Sequence, residues 1–449
     1  MTSGLIDAAS LPCLNTPTIQ RLPNGLTVIA EQMPVEAVNL SLWLSVGSAI
    51  EPDPINGMAH FLEHMIFKGT NRLRSGEFER LIEQRGAVTN AATSQDYTHY
   101  YITTAPKDFA ELAPLQTEVV LNAAIPDEAF ERERSVILEE IRRANDNPGR
   151  RTFYRSMEMA FDRLPYRRPV LGFSEVIEQL TPQQMRDFHA RWYRPSSISA
   201  VAVGNLPVDQ LIQIVSQGFE HIDDSPLPGS HPTETFNSRL TETILSGEIE
   251  LESSFEGVSR RDYYDAHIQQ ARLFMAWRVP GMAHASQTYA LDVLASILGQ
   301  GRTARLIRDL REDRGLVSGI SVGNMTYAMQ GVFYVSAHLP EENLADVEEA
   351  IAHHIRALHD APVAESEIAR VRTLVANRYI FGNETPSNRA GLYGYYQSIA
   401  GDLAPALHYP AHIQALDAQD LQTAARQYLS PDAYGVSIFR PASVRPASG

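Results

Sequence analysis

The stretch that decides the fold runs from Gly57 to Thr70 and reads GMAHFLEHMIFKGT. Within it His60 and His64 lie four residues apart, so on a helix both imidazoles leave the same face one turn apart. Glu63 stands beside His64, where its carboxylate can reach a water bound to the same metal without being a ligand. This is the H-E-x-x-H pattern of zinc enzymes with its order inverted. The spacing therefore predicts a zinc site with two histidine ligands and Glu63 as general base.

A third ligand has to come from elsewhere in the chain, because a catalytic zinc normally has three protein ligands. The stretch ERERSVILEEIRRA, residues 131–144, predicts an amphipathic helix with Val136, Ile137 and Ile141 partly buried. Glu139 and Glu140 point in directions about 100° apart on this helix, so only one of them can face the metal. The helical pattern does not choose between them.

A further glutamate on the predicted helix has a supporting role. Glu133 lies two turns before Glu140, on the same face. Ligand histidines are normally oriented by a hydrogen-bonding partner behind them. We therefore expect Glu133 to orient one of the two histidines.

Composition and charge narrow the class of protein. A chain of 449 residues exceeds the size of one hydrophobic core, so at least two domains are expected. The net charge of -16 disfavours nucleic acid and anionic membrane surfaces as partners. The first residues lack the pattern of a secretory or mitochondrial targeting segment, and a single cysteine, Cys13, fits a reducing compartment. These features predict a cytoplasmic protein whose metal site uses histidine and carboxylate.

The order of features repeats on the two sides of a turn-rich segment. In the first half, Leu40, Leu42 and Leu44 alternate with polar residues and tryptophan, which predicts a strand, and a helix follows. In the second half, ARLFMAWRVPG (271–281) predicts a strand and SQTYALDVLASILGQG (286–301) a helix. Each half thus predicts an α+β domain with a sheet covered on one face by helices.

The predicted boundaries follow from this repeat. Residues 1–18 form an N-terminal extension, 19–222 the zinc-binding α+β domain, 223–261 a linker, and 262–449 a homologous α+β domain without metal. The counterparts of the motif in the second half are Tyr289, Asp292 and Val293, which lack imidazoles. Only the first half is expected to hold zinc, one ion per chain.

With these features the sequence resembles the pitrilysin and insulinase type of zinc peptidases, and within that type the bacterial homologues of the processing peptidases. The stretches that carry the resemblance are LPNGLTV (22–28), GSAIEPDPINGMAHFLEHMIFKGT (47–70), GAVTNAATSQDYTHYY (86–101) and LPYRRPVLG (164–172). It implies two α+β domains per chain that form one half of a clamshell. It also implies that both histidines and a distant glutamate hold zinc, and the family spacing favours Glu140 over Glu139.

The resemblance implies how a substrate binds. The segment from Gly86 to Tyr101 matches an edge strand that pairs with an extended peptide through backbone groups near Asn90 and Ala91. The expected reaction is hydrolysis of peptides or short unfolded polypeptides inside a closed chamber.

One departure from the family concerns its partner. The family often has an arginine followed seven residues later by a tyrosine, both of which contact substrate from the opposite unit. Arg311 is retained here, but Ser318 stands in place of the tyrosine. Either the chain is a weaker enzyme, or it is the zinc-bearing half of a heterodimer whose partner brings both residues; we favour the heterodimer. The alternatives to a peptidase are a non-catalytic subunit of a larger assembly and a module that binds peptides without cutting them.

Overall fold

The computed structural model describes residues 14–220 and 250–442. Most of the predicted N-terminal extension, including Cys13, and most of the predicted linker lie outside the described residues. The described chain combines helices with two sheets, which confirms the predicted α+β class. None of its described helices has the length and apolar character needed to cross a membrane.

The first sheet is mixed and six-stranded. Its strands are β1 (Thr18–Arg21), β2 (Thr27–Gln32), β3 (Val38–Leu44), β4 (Val88–Thr93), β5 (Thr98–Thr104) and β6 (Ile198–Gly204). They lie in the order β1-β2-β6-β3-β5-β4, with β2 and β6 parallel and the other neighbours antiparallel. This order leaves β4 at an edge, with β5 as its one strand neighbour among the described residues.

The helices of the first half include the one that carries the motif. They are α1 (Met58–Ile66), α2 (Glu77–Gln84), α3 (Phe109–Leu121), α4 (Asp127–Asp146), α5 (Pro148–Ala160), α6 (Ser174–Ile177), α7 (Pro182–Trp192) and α8 (Val208–Phe219). The predicted helix over 131–144 falls inside α4, with Ile137 and Ile141 buried as expected. Val136 was wrongly expected to be partly buried: it is 48% exposed, because its neighbours Ile137 and Ile141 define the buried stripe.

The second half repeats the plan around a five-stranded sheet. Its strands are β7 (Ser259–Asp265), β8 (Ala271–Pro280), β9 (Gly319–Met325), β10 (Gln330–Leu339) and β11 (Gly435–Pro441), in the order β7-β11-β8-β10-β9. Its helices are α9 (Ala285–Gly299), α10 (Leu344–Asp360), α11 (Glu365–Phe381), α12 (Pro386–Ala400), α13 (Ala404–Leu407), α14 (Tyr409–Ala415) and α15 (Ala418–Tyr428), with a π-helical turn at Ile307–Asp313. The strand and helix predicted from residues 271–301 are confirmed as β8 and α9.

Each half contributes one helix that packs against the sheet of the other half. α12 of the second half packs against β3 and β6, and α5 of the first half packs against β8 and β11. At the first crossing Gly394 lies so close to Trp43 that a Cβ there would be 2.0 Å from the indole nitrogen. β3 is therefore buried on both faces, although the sequence predicts a sheet covered on one face only. The second cover is a helix from the other half of the chain, which the local alternation of residues does not encode.

Candidate metal centre

A buried carboxylate, Glu51, is hydrogen-bonded to the N-terminal end of the helix that carries the motif. Gly57 precedes α1 with φ of 97°, in the left-handed region that favours glycine. Glu51 accepts hydrogen bonds from the backbone amides of Gly57 and Ala59, both at 2.7 Å. Burial raises the pKa of Glu51 to about 7, against the opposing effect of these amides. Glu51 thus fixes the first turn of α1 directly before His60.

Three of the predicted residues converge in space. His60 Nε2 and His64 Nε2 lie 3.7 Å and 3.8 Å from the same oxygen, Glu140 Oε2. The potential ligand atoms of the three residues all lie within 4.8 Å of one another. Ligands at about 2.1 Å from a tetrahedral zinc are about 3.4 Å apart, and the two histidine-to-glutamate distances are only slightly longer than this. We call these three residues the metal cluster.

The protonation of His60 also fits a metal ligand. Burial, helped by the nearby charges of His64 and Arg150, lowers the pKa of His60 to about 3. The imidazole is therefore neutral, which is the form that binds metals. Its Nδ1 is buried and has no hydrogen-bond partner among the described residues. A neutral imidazole whose Nε2 faces a second histidine and a carboxylate fits the donor set of a zinc site.

The structure separates the two adjacent glutamates that the helical pattern left open. Glu140 lies against both histidines, whereas Glu139 points outwards and accepts hydrogen bonds from Arg142 and Arg143 at 2.8 Å and 2.9 Å. These two guanidinium groups, Arg142 first, lower the pKa of Glu139 to about 2. The side chain of Glu139 is therefore engaged away from the metal cluster.

Glu133 lies behind the second histidine. Its Oε2 is 3.4 Å from His64 Nδ1, and its Oε1 is 2.6 Å from Lys68 Nζ. A carboxylate on the far nitrogen of a ligand imidazole fixes the orientation of the ring. Lys68, at the end of the quoted motif, in turn holds the carboxylate.

Glu63 is adjacent to the metal cluster and has its own anchor. It is not part of the group of ligand atoms found among the described residues. Thr93 Oγ1, at the end of β4, donates to Glu63 Oε2 at 2.5 Å. Burial raises the pKa of Glu63. The carboxylate is thus held in one place, and its role as general base remains a prediction.

The predicted peptide-binding strand forms an edge of the first sheet. Asn90 and Ala91 lie in β4, where they pair with Tyr101 and Tyr100 of β5. The side chain of Asn90 is exposed and accepts from the amide of Ala91 at 2.9 Å. Since Thr93 of the same strand contacts Glu63, the strand runs beside the metal cluster. Binding of a peptide at this edge remains a prediction.

Arg311 and Ser318 lie in the second half. Arg311, in the π-helical turn, donates through Nε and Nη2 to Glu312 at 2.9 Å and 2.7 Å. Ser318 is exposed, and its hydroxyl donates to Gln270 at 2.7 Å. Neither residue belongs to the metal cluster of the first half, so any role in binding substrate stays a prediction.

Sequence reasoning missed three supporting residues, Glu51, Thr93 and Lys68. All three lie inside quoted stretches, but an acidic residue before a glycine turn and a threonine in a strand are common features. Their roles depend on which atoms they meet in space, and no spacing in the sequence indicates this. Lys68 lies two residues beyond the end of α1, and the sequence gives no sign of the acidic residue that it meets.

Comparison with known proteins gives matches over most of the chain. The family model described as insulinase, peptidase family M16, matches residues 26–173, and that of the peptidase M16 inactive domain matches residues 179–375. An uncharacterized zinc protease of Mycobacterium tuberculosis is 28% identical over 421 residues, which cover 94% of this chain and 92% of the relative. Zinc protease PqqE of Helicobacter pylori is 26% identical over 427 residues, covering 93% and 91%.

Solved structures share the fold. A protease from Helicobacter pylori has a TM-score of 0.86 at 24% identity, covering 95% of this chain and 99% of that one. A peptidase M16 inactive domain from Pseudomonas fluorescens has a TM-score of 0.80 at 20% identity, covering 96% and 98%. A chain of complex III2 from Candida albicans has a TM-score of 0.77 at 16% identity, covering 95% and 96%. At these identities the likeness shows the fold alone.

Proposed function

Because the chain belongs to the insulinase family of peptidases, family M16, we propose that it is a zinc-dependent endopeptidase that cuts peptides or short unfolded polypeptides inside a closed chamber. The observation that carries this proposal is the convergence of His60, His64 and Glu140 beside a carboxylate that is not one of the ligands. Relatives named zinc proteases support the choice of metal. A zinc ion held there supplies Lewis acidity, which polarises a carbonyl oxygen and makes water a stronger acid.

The other residues of the site have separate tasks. Glu63 takes the proton from the attacking water and then delivers it to the leaving amine, so one carboxylate serves as base and later as acid. Thr93 holds this carboxylate in one orientation through its hydrogen bond. Glu133, held by Lys68, keeps the ring of His64 in place.

The substrate binds as an added strand on β4. Its backbone pairs with the outer edge of β4 near Asn90 and Ala91, where it would take over the Ala91 amide from the side chain of Asn90. Pairing through the backbone makes binding tolerant of side-chain identity. A dimer completes the chamber, and we propose that the partner is a homologous chain that brings an arginine and a tyrosine, since Ser318 here has too short a side chain to replace the tyrosine. The single cysteine favours a reducing compartment, so we propose a cytoplasmic location.

The test is cleavage of a mixed peptide pool by the zinc-loaded chain, alone and with a homologous partner. Glu63→Gln should lower kcat/KM by about 100-fold or more, because a positioned general base contributes that much, while elemental analysis finds zinc at the wild-type level. The exposed Glu83 on α2 provides a matched control, and Glu83→Gln should cleave like wild type. If Glu63→Gln kept most of its turnover, the assignment of the base would be wrong.

A non-catalytic subunit is the second candidate. It is favoured by the replacement of the family tyrosine by Ser318. It predicts that zinc-loaded protein cuts no peptide in the pool, with or without the partner. The endopeptidase proposal predicts cleavage that a chelator stops and zinc restores.

A further inference from the structure

A polar cavity of about 200 Å³ lies in the second half, beside α9 and the edge strand β9. It includes two of the three residues that correspond to the motif of the first half, Tyr289 and Asp292. Six side chains of its wall matter here, namely Tyr289, Asp292, Asn324, Tyr395, Tyr396 and Tyr409. The second half has therefore kept a pocket at the place where the first half has its metal cluster.

A carboxylate is held in this pocket in the same way as in the first half. Asp292 Oδ1 accepts from Asn324 Nδ2 at 2.8 Å, and Asp292 Oδ2 accepts from the Tyr409 hydroxyl at 3.0 Å. Asn324 lies in β9, just as Thr93, the anchor of Glu63, lies in β4. In each half, a carboxylate on the helix is thus fixed by a side chain on the edge strand.

The pocket carries negative charge that no cation of the described chain offsets. Lysine, arginine and histidine are absent from the described residues that line it. Both oxygens of Asp292 accept hydrogen bonds from neutral donors, which is the pattern of an ionised carboxylate. Burial raises the pKa of Asp292 to about 6. Asn324 Oδ1 is also buried and has no hydrogen-bond partner in the described chain. A buried ionised carboxylate is costly unless a cation pairs with it.

The walls of the pocket select the kind of cation. Four tyrosine rings line it, and the faces of tyrosine rings attract organic cations. Tyr289 and Val293 replace the two imidazoles of the first half, so a transition metal would lack its nitrogen ligands. A primary alkylammonium ion has N–H donors for Asp292 and for the unpaired oxygen of Asn324. Its alkyl chain can lie along the tyrosine rings.

We propose that this cavity binds the primary ammonium group of a small amine or of a lysine side chain, with Asp292 and Asn324 as acceptors and the tyrosines as its walls. The site is separate from the metal cluster, and the proposal does not depend on peptidase activity.

The test is calorimetric titration of the zinc-loaded full chain with n-butylammonium chloride at constant ionic strength. We expect saturable binding that Asp292→Asn weakens about tenfold or more, since the substitution keeps the shape and removes the charge. Asp360→Asn, at an exposed aspartate of α10, should bind like wild type. Uncharged 1-pentanol should bind at least about tenfold more weakly than the ammonium ion.

A second variant and a second probe separate the remaining explanations. Tyr409→Phe removes one hydrogen bond to the carboxylate but keeps the ring, so it should still bind the ammonium ion. An acetylated and amidated glycyl-lysyl-glycine tripeptide tests the lysine source, and the tighter of the two probes identifies the ligand. The proposal is overturned if neither probe binds wild type, if Asp292→Asn binds as tightly, or if pentanol matches the ammonium ion.

Discussion

Arg389 of the second half donates through Nη1 to both carboxylate oxygens of Glu31 in the first half, at 2.8 Å and 3.0 Å. Glu31 is 3% exposed and Arg389 8% exposed, so the pair lies inside the protein. Tyr393 adds a third hydrogen bond to Glu31 at 2.8 Å, and the guanidinium also donates to the carbonyl of Asn383. The ion pair connects α12 to the sheet on which it packs.

Breaking this pair should destabilise the whole chain. Arg389→Met leaves the Glu31 carboxylate buried without a cation, so we expect the free energy of unfolding to fall by about 3–5 kcal/mol. Urea denaturation measures the change. Arg356→Met is the control, because the exposed pair of Arg356 with Asp432 at 3.2 Å should contribute about 1 kcal/mol or less. If Arg389→Met lost no more than the small amount expected of Arg356→Met, the packing of α12 would not depend on the buried ion pair.

The two adjacent glutamates of α4 should differ in metal binding. Glu140→Gln removes a charged ligand and should weaken zinc binding by more than about 100-fold, since loss of an outer partner alone costs about 10–100-fold. Glu139→Gln should bind zinc like wild type, because Glu139 is paired with Arg142 and Arg143. Competition with a chromophoric chelator measures both affinities. Loss of zinc in Glu139→Gln with retention in Glu140→Gln would reverse the assignment.

The partner behind His64 should have an intermediate effect. Glu133→Gln keeps a hydrogen-bond acceptor near Nδ1 of His64 but removes the charge that Lys68 holds, so we expect zinc affinity to fall by about 10–100-fold. The same chelator competition measures it, and secondary structure should not change. An affinity equal to that of wild type would show that the ring of His64 is fixed by packing alone.

The part of the site that the sequence places most directly is the motif itself, because its information is local. His60, Glu63 and His64 lie on one short helix, and the period of a helix is enough to place their side chains relative to one another. The helical period cannot choose between Glu139 and Glu140, because it places the two side chains about 100° apart but does not indicate which direction faces the metal. In the structure Arg142 and Arg143 hold Glu139 away from the histidines and Glu140 lies against them, while the role of Glu140 as ligand remains a prediction.

The α+β fold was also predicted from local patterns of residues. The main error of that prediction is the expectation that the first sheet is covered on one face only. The alternation of Leu40, Leu42 and Leu44 correctly indicates a strand, but it does not show that Trp43 on the other face would meet Gly394. A helix that arrives from the other half of the chain leaves no period in the strand it covers. The anchors Glu51 and Thr93 were missed because they, too, act through contacts made in space.

The turn between β4 and β5 contains a carboxylate whose titration should be visible in stability. Asp96 accepts from the hydroxyl of Tyr166 at 2.8 Å and from the amide of Ala328 in the second half at 2.9 Å. Burial raises the pKa of Asp96 from 3.8 to about 6, against these two hydrogen bonds. Tyr166 and Tyr327, which lie beside it, stay neutral over this range because their pKa values are raised as well.

Asp96 should make the chain less stable as the pH rises from about 4 to about 6. In that interval the folded chain keeps a proton that the unfolded chain has released, so the stabilisation is complete below about pH 4 and is lost as the pH passes the folded pKa. Asp96→Asn does not titrate and keeps an acceptor for the Ala328 amide. We therefore expect the free energy of unfolding of wild type, minus that of Asp96→Asn, to fall by on the order of 2 kcal/mol over this interval. Urea denaturation at a series of pH values measures the difference. A flat difference for Asp96→Asn would mean that this carboxylate titrates as it does in the unfolded chain.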